Sequence, residues 1–298
     1  MKTDHKIQRS RFLLLRHRTI AALLALTLLS MRPALADQGL EKQVKFDYLE
    51  KVLTLRHFYS GEHLKFRSDG TPEGNFTPGL WTLDGQIEVE DVHLHGAQLV
   101  IKGRRIHRIF DGQGKPLDEL THLKDQSGKQ QKDLEKALRR LKAEIEIELP
   151  SDNPSENDVS AAMHAVFVTG SDSMMDVVPS YWRAYFAKQE GKPLSAPRAT
   201  AVSLNPGRGG VSAPRATYSP DPEYSDEARK ARYMGTIVLS LVVDTSGNPT
   251  DLQIQRPIGL GLDEMAIKAV NAWRFKPAEK DGSPVPVAIN VEVNFHLY

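Results

Sequence analysis

His93 and His95 stand two apart in a stretch of alternating character. On a strand that spacing puts both imidazoles on one face, as two legs of a zinc site. No third ligand stands near them in the sequence, and a polar strand face turned to water accounts for both. Gly170–Ser173 ("GSDS") carries two serines, but it reads as the cap of the turn that follows rather than as a nucleophile. There is no Gly-x-Ser-x-Gly elbow, P-loop, His-Glu-x-x-His or EF-hand pattern. Cysteine is absent, which removes thiolate nucleophiles, thiolate metal sites and any disulfide frame. The charged run Lys129 to Lys142 is spaced for i,i+4 pairing and reads as the solvated face of a helix. Tyr181, Trp182, Tyr185 and Phe186 read as core or an interdomain contact. The expectation is therefore a protein that is not an enzyme, with no catalytic residues, no metal and no cofactor.

The elements that would position any site begin after a processing segment. Lys2, Lys6, Arg9, Arg11, Arg16 and Arg18 form a basic stretch, followed by the apolar run Thr19 to Met31 and the small-x-small sequence Ala34, Leu35, Ala36. That order is a secretory signal peptide over residues 1–36, with cleavage before Asp37. A spanning helix needs about 20 apolar residues, and this run is closed by Arg18 and Arg32. The alternative is an inner-membrane anchor through uncleaved residues 19–31. Cleavage takes away seven basic residues and one acidic one, leaving 32 basic against 37 acidic, a net charge of −5. That balance gives no support for nucleic-acid binding.

Residues 37–188 read as an α+β domain. "KVLTLRHFY", "EHLKF", "LWTLDGQIEVEDVHL" and "AQLVIKGRRIHRIF" are strand-like and separated by turn residues, as in an antiparallel β-meander. Ile87 and Val89 share one parity, Val92 and Leu94 the other, and a bulge near Glu90–Asp91 reconciles them. "KDLEKALRRLKAEIEIEL" starts as a helix and finishes as a strand. "SENDVSAAMHAVFV" is a helix opened by a capping box of Ser155 and Asp158, and Pro179 opens a third. Residues 189–222 hold six Pro and four Gly with no period, and contain "SAPRAT" twice, at Ser195 and Ser212. They read as a flexible linker.

Residues 223–298 read as a second, smaller unit. A short helix, "SDEARKAR", precedes a strand in which Ile237, Leu239, Leu241 and Val243 alternate. A second strand follows with Leu252 and Ile254. Next, Leu262, Met265, Ala266, Ala269, Val270 and Trp273 make one apolar helix stripe, which Pro277 must end, with Phe275 completing the core. In the last strand Val287, Ile289, Val291, Val293, Phe295 and Leu297 alternate strictly with polar or small residues. A period of two means one face buried and one in water. The unit is a small antiparallel sheet with a helix packed on it.

This second unit resembles the TonB C-terminal domain family, the periplasmic module of energy transducers that act on outer-membrane receptors. The motifs are Tyr224 ahead of the short helix with Ala228, "GTIVLSLVVDTSG", "GLDEMAIKAVNAWRFKPA", and "DGSPVPV" leading into the last strand. They cover about residues 220–298. Ser225 stands where the family often has Pro, and Arg232 where many members have Gly. The resemblance implies a cell-envelope protein, periplasmic or secreted, that binds an outer-membrane receptor or another envelope protein by β-strand addition. Tyr224, Val287, Ile289, Val291, Val293 and Phe295 would then form the partner-binding site, and a homodimer through the C-terminal strand is an alternative use of the same edge. A second reading makes 37–188 a periplasmic enzyme or ligand-binding domain for which the TonB-like module is only a docking element.

Overall fold

The computed structural model describes residues 32–117, 141–170, 172–193 and 210–297. The apolar run of the expected signal, the helix expected before Leu141, and the first "SAPRAT" lie outside them. Among the described residues no helix is long and apolar enough to cross a membrane. Helix α1 (Arg32–Tyr48) runs across the Ala36–Asp37 boundary and lays Leu40, Val44 and Tyr48 on the first core. Strands β1 (Val52–Leu55), β2 (His63–Arg67), β3 (Gln86–His95), β4 (Gln98–Arg105), β5 (Lys142–Glu148) and β6 (Phe167–Val168) form one sheet. Short helix α2 (Trp81–Asp84) precedes β3, and α3 (Glu156–Val166) precedes β6.

The sheet order is β6-β1-β3-β4-β5-β2, antiparallel except for the β2–β5 pair. Only β3–β4–β5 follow one another as in a meander. β2 crosses to the far edge because a parallel neighbour needs a long connection, which the intervening strands supply. In β3 the buried side switches from Ile87 and Val89 to Val92 and Leu94, and the register with β4 shifts between Val89 and Asp91. One extra residue there turns both apolar pairs to the same core. Helix α3 starts at a complete capping box: the Ser155 hydroxyl accepts from the Asp158 N–H, and the Asp158 carboxylate accepts from the Ser155 N–H. His93 lies against Asp91 and Glu41, and among the described residues no cluster of three metal-ligating side chains forms.

A 3-10 turn (Ser180–Trp182) runs into α4 (Arg183–Glu190), and β7 (Arg215–Tyr218) and α5 (Asp226–Ala231) lead into the C-terminal sheet. That sheet comprises β8 (Gly235–Val243), β9 (Pro249–Arg256) and, after helix α6 (Leu262–Asn271), β13 (Val287–Phe295), in the order β9-β8-β13. Between α6 and β13 lie β10 (Arg274–Lys276), β11 (Ala278–Lys280) and β12 (Ser283–Val285). Leu262, Ala266 and Val270 are fully buried, Met265 and Ala269 half-buried, and Ile267 joins the same core. The helix stops at Asn271, so Trp273 is not on it, contrary to the stripe read from the sequence. Its half-buried indole instead donates to the Pro220 carbonyl at 3.1 Å and packs near Phe275, which is buried. The capture of incoming backbone by an indole N–H was invisible in the helical period.

The linker expected over 189–222 is shorter than that span. Val211 is buried, and β7 pairs with β10. More consequentially, the apolar core of the C-terminal sheet does not close on itself. It includes Trp81 and Leu83 of α2, Ile109 and Phe110, and Trp182 and Tyr185 from the N-terminal part. Phe110 N–H donates to the Ile258 carbonyl, and Leu260 N–H to that of Arg108. Gly259, at φ +97°, permits this: a Cβ there would sit 2.1 Å from the Arg108 carbonyl oxygen.

The first turn of α6 is the centre of the contact. Asp263 and Glu264 are both buried. Asp263 accepts from the N–H groups of Ile258 and Gly259, each at 2.8 Å. Glu264 accepts from Trp182 Nε1 at 3.1 Å and from the Thr82 hydroxyl at 3.2 Å, and that same hydroxyl accepts from Gly261 N–H at 2.8 Å. A buried carboxyl without such donors costs several kcal/mol, so α6 depends on two side chains from the N-terminal part.

Burial, then the neighbouring Glu264, holds the Asp263 carboxyl above the usual carboxylate range, against its two backbone donors. Burial raises Glu264 likewise, against its hydrogen bonds. A raised folded-state value makes the contribution of the pair largest at acid pH, and it is lost as pH rises past about 4, the unfolded range. Glu264→Gln keeps one of the two acceptor oxygens and removes one titration. Its stability relative to the native chain should therefore rise between pH 5 and 8, as denaturant melts at the two pH values will read. Trp182→Phe, which strips the indole donor, should cost about 1–3 kcal/mol. A third expectation comes from Arg232, which ends α5 in the left-handed region at φ +52°. Arg232→Gly should stabilise the chain by about 1 kcal/mol in the same assay.

Candidate partner-binding edge

β13 pairs with β8 over its whole length without a break in register, from Gly235↔Phe295 to Val243↔Val287. Its inward side chains are Val287, Val293 and Phe295, all buried, and Ile289 and Val291, half-buried. Ala288, Asn290, Glu292 and Asn294 face solvent on the opposite side. Among the described residues nothing pairs with the other edge of this strand. Natural sheets blunt such edges with proline, bulges, lysine or a covering element. This one has no bulge, no proline, no lysine and a single charged side chain, Glu292.

The other edge of the same sheet is treated differently. α4 lies along β9, where the Ala184 N–H donates to Gln253 Oε1 at 3.2 Å. The aromatic side chains of this segment pack edge to face: Tyr185 with Trp182 at 5.6 Å between centroids and with Phe186 at 5.2 Å. The N-terminal part thus covers β9 and leaves β13 open.

Tyr224 sits at the C-terminal end of that open strand. Its ring meets Phe295 at 5.3 Å and 87°, an edge-to-face contact. Its hydroxyl is buried and makes no hydrogen bond to any described group, and burial raises its pKa. Together with Asp221, Arg229, Asn294 and His296 it lines an open cleft of about 360 Å³. Ser225 explains the missing proline of the resemblance. Its hydroxyl accepts from the Ala228 N–H at 3.1 Å, capping α5, and donates to the Leu260 carbonyl.

A second open cleft, of about 370 Å³, lies between Ser60–Glu62, Gly79–Asp84, Arg105, His107 and Glu227 of α5. Its buried guanidinium is committed to structure: Arg105 donates to the carbonyls of Asp84, Tyr59 and Gly61, each at 2.8 Å. Burial, then the Arg105 and Arg104 charges, push His107 down to about 4, so it is neutral at physiological pH.

Sequence reasoning pointed at β13 and Tyr224, noted Ser225 only as a departure from the family pattern, and did not find the contact between Thr82 and Glu264. The aromatic run around Trp182 was the one signal that bore on the contact between the two parts.

Residues 220–297 match the family model for the Gram-negative bacterial TonB protein C-terminal. Among curated proteins, tonB2 of Pseudomonas aeruginosa is 35% identical over 81 residues, which is 27% of this chain and 30% of that protein. TonB of Vibrio cholerae is 34% identical over 77 residues, 26% of this chain and 32% of that one. TonB of Xanthomonas campestris is 30% identical over 77 residues, 26% of this chain and 34% of that one. The chain thus spans about a third of the length of the curated relatives it matches. A solution NMR structure of the Pseudomonas aeruginosa TonB CTD matches 31% of this chain and 93% of that one, at 17% identity and a TM-score of 0.23. On the sequence match, residues 220–297 of this chain belong to the TonB C-terminal family.

Proposed function

We propose that this is a cell-envelope protein whose C-terminal module captures an extended segment of an outer-membrane receptor by adding it as a strand beside Val287–Phe295. The observation that carries the reading is the undefended edge of β13, regular over nine residues in a sheet whose opposite edge is covered. In strand addition, backbone N–H and C=O groups supply affinity and alternating side chains supply selectivity. Here Ala288, Asn290, Glu292 and Asn294 would line one side of the added strand. Tyr224, whose ring packs on Phe295, lines the open cleft at the end of this edge, where the incoming segment would leave the sheet.

The N-terminal part is then the backing of the module rather than a catalyst. The alternative, a ligand-binding or enzymatic domain at 37–188, has the Arg105–His107 cleft in its favour, but the Arg105 guanidinium there is spent on backbone carbonyls. Residues 1–36 act as an export signal in this reading. Removal before Asp37 keeps Leu40, Val44 and Tyr48 of α1 on the core, so the mature protein holds its fold in the periplasm. Homodimers through β13 would use the same edge and compete with capture.

Two experiments bear on this. In a strand, neighbouring N–H groups point to opposite edges. Single prolines placed from Asn290 to Asn294 should therefore alternate in effect: positions facing β8 unfold the module, and positions facing outward leave it folded but abolish capture of a receptor N-terminal peptide. Circular dichroism and isothermal titration read the two effects, and a folded proline series that still binds peptide throughout would sink strand addition. Intact mass of the exported protein should give Asp37 as the first residue.

A further inference from the structure

Ser225 serves two elements at once. Its hydroxyl accepts from the Ala228 N–H at the start of α5 and donates to the Leu260 carbonyl. The second bond is not needed to cap the helix, and it leads back to the N-terminal part. Leu260 stands in the loop between β9 and α6, where Gly259, Leu260 and Gly261 all have left-handed backbone, at φ +97°, +51° and +76°. Glycine takes that region freely, but a residue with a Cβ stays there only where its surroundings hold it.

Two residues of the N-terminal part do the holding. The Arg108 carbonyl accepts from the Leu260 N–H at 2.9 Å, and the Thr82 hydroxyl accepts from the Gly261 N–H at 2.8 Å. Arg108 N–H in turn donates to the Thr82 carbonyl at 2.7 Å, so the two acceptors are fixed to each other. Packing follows the same route: a Cβ on Gly261 would come within 3.1 Å of Leu80, Leu83 and the Cβ of Ser225.

Ser225 also fixes what comes before it. Tyr224 lies on Phe295 at the end of β13, and its own hydroxyl makes no hydrogen bond to any described group. Packing and the backbone that Ser225 anchors therefore hold the ring. α5 stands between the two clefts, with Glu227 on the one beside α2 and Arg229 on the one at the end of β13. We infer that Ser225 is a positioning residue that couples the partner-binding edge to the joint between the two parts of the chain. The inference rests on capture at β13, as proposed above. Leu260 is the two-state element. While Arg108 and Thr82 hold the loop left-handed, the Leu260 carbonyl meets Ser225 and Tyr224 is set against the edge. Once released, Leu260 returns to the ordinary region, its carbonyl turns away, and Tyr224 loses its backbone anchor. A captured segment that leaves the sheet over Tyr224 favours the set position. By reciprocity it favours the closed joint by the same factor.

Ser225 has φ −65°, the value that proline enforces. Ser225→Pro thus keeps this backbone angle without the tie to Leu260. Isothermal titration of the full chain with the receptor N-terminal peptide compares native, Thr82→Ala, Ser225→Pro and the double variant. Thr82→Ala should weaken capture at least about fivefold in the native background and have no effect on chains carrying Ser225→Pro. An equal loss in both backgrounds, or none in either, overturns the coupling and leaves strand addition standing. A native chain that takes up no peptide overturns both. Should either variant fail to fold, amide hydrogen exchange in the native chain decides. Bound peptide should slow Leu260 and Gly261 beyond the uniform slowing read from Leu99 and Ile101 of β4, and equal slowing rejects the relay.

Discussion

The carboxyl of Glu264 is buried at the start of α6, and the groups that satisfy it come from elsewhere in the chain: the hydroxyl of Thr82 and the indole N–H of Trp182. An acid in that position without donors would be among the most costly features a small domain could carry. With them it ties the helix that covers the C-terminal sheet to the N-terminal part. The Thr82 hydroxyl does this twice, since it also accepts from Gly261 at the helix entrance. The rest of the joint core, from Trp81 and Phe110 to Ile258 and Leu260, packs around this contact.

The same contact decides which edge of the sheet is available. Because the Trp182–Phe186 segment must lie over α6 and β9 to deliver its indole, β9 is covered and, among the described residues, β13 is left as the open border. A strand added there would rest on β8 through an unbroken ladder, and load applied along it would pass into a core shared by both parts of the chain. A module joined only by a coil would transmit load through one covalent connection. Here Phe110–Ile258 and Leu260–Arg108 backbone bonds lie in parallel with it.

Residues 210–224 add a further layer to the module. Val211 is buried against β11, the indole of Trp273 holds the Pro220 carbonyl, and Ser225 caps α5 while reaching the Leu260 carbonyl. Proline and glycine content suggested coil throughout this stretch. An extended strand with a proline in it can still be ordered when it lies at the border of a sheet and the missing N–H is not needed.

Local periodic signals were legible without coordinates. The alternation of Ile237 to Val243 and of Val287 to Phe295, the parity change between Val89 and Val92, the box of Ser155 and Asp158, and the stripe from Leu262 to Val270 each reside within a dozen or so neighbouring residues, where backbone geometry sets the period. The motifs of residues 220–297 sufficed to assign their family. Tertiary structure alone decided that α6 stops before Trp273, that β2 crosses to lie parallel beside β5, that β9 rather than β13 is covered, and that the two parts share one core. These outcomes rest on pairs such as Thr82 and Glu264, 182 residues apart. No period links residues at that separation, and only packing brings a hydroxyl to a buried acid that needs it.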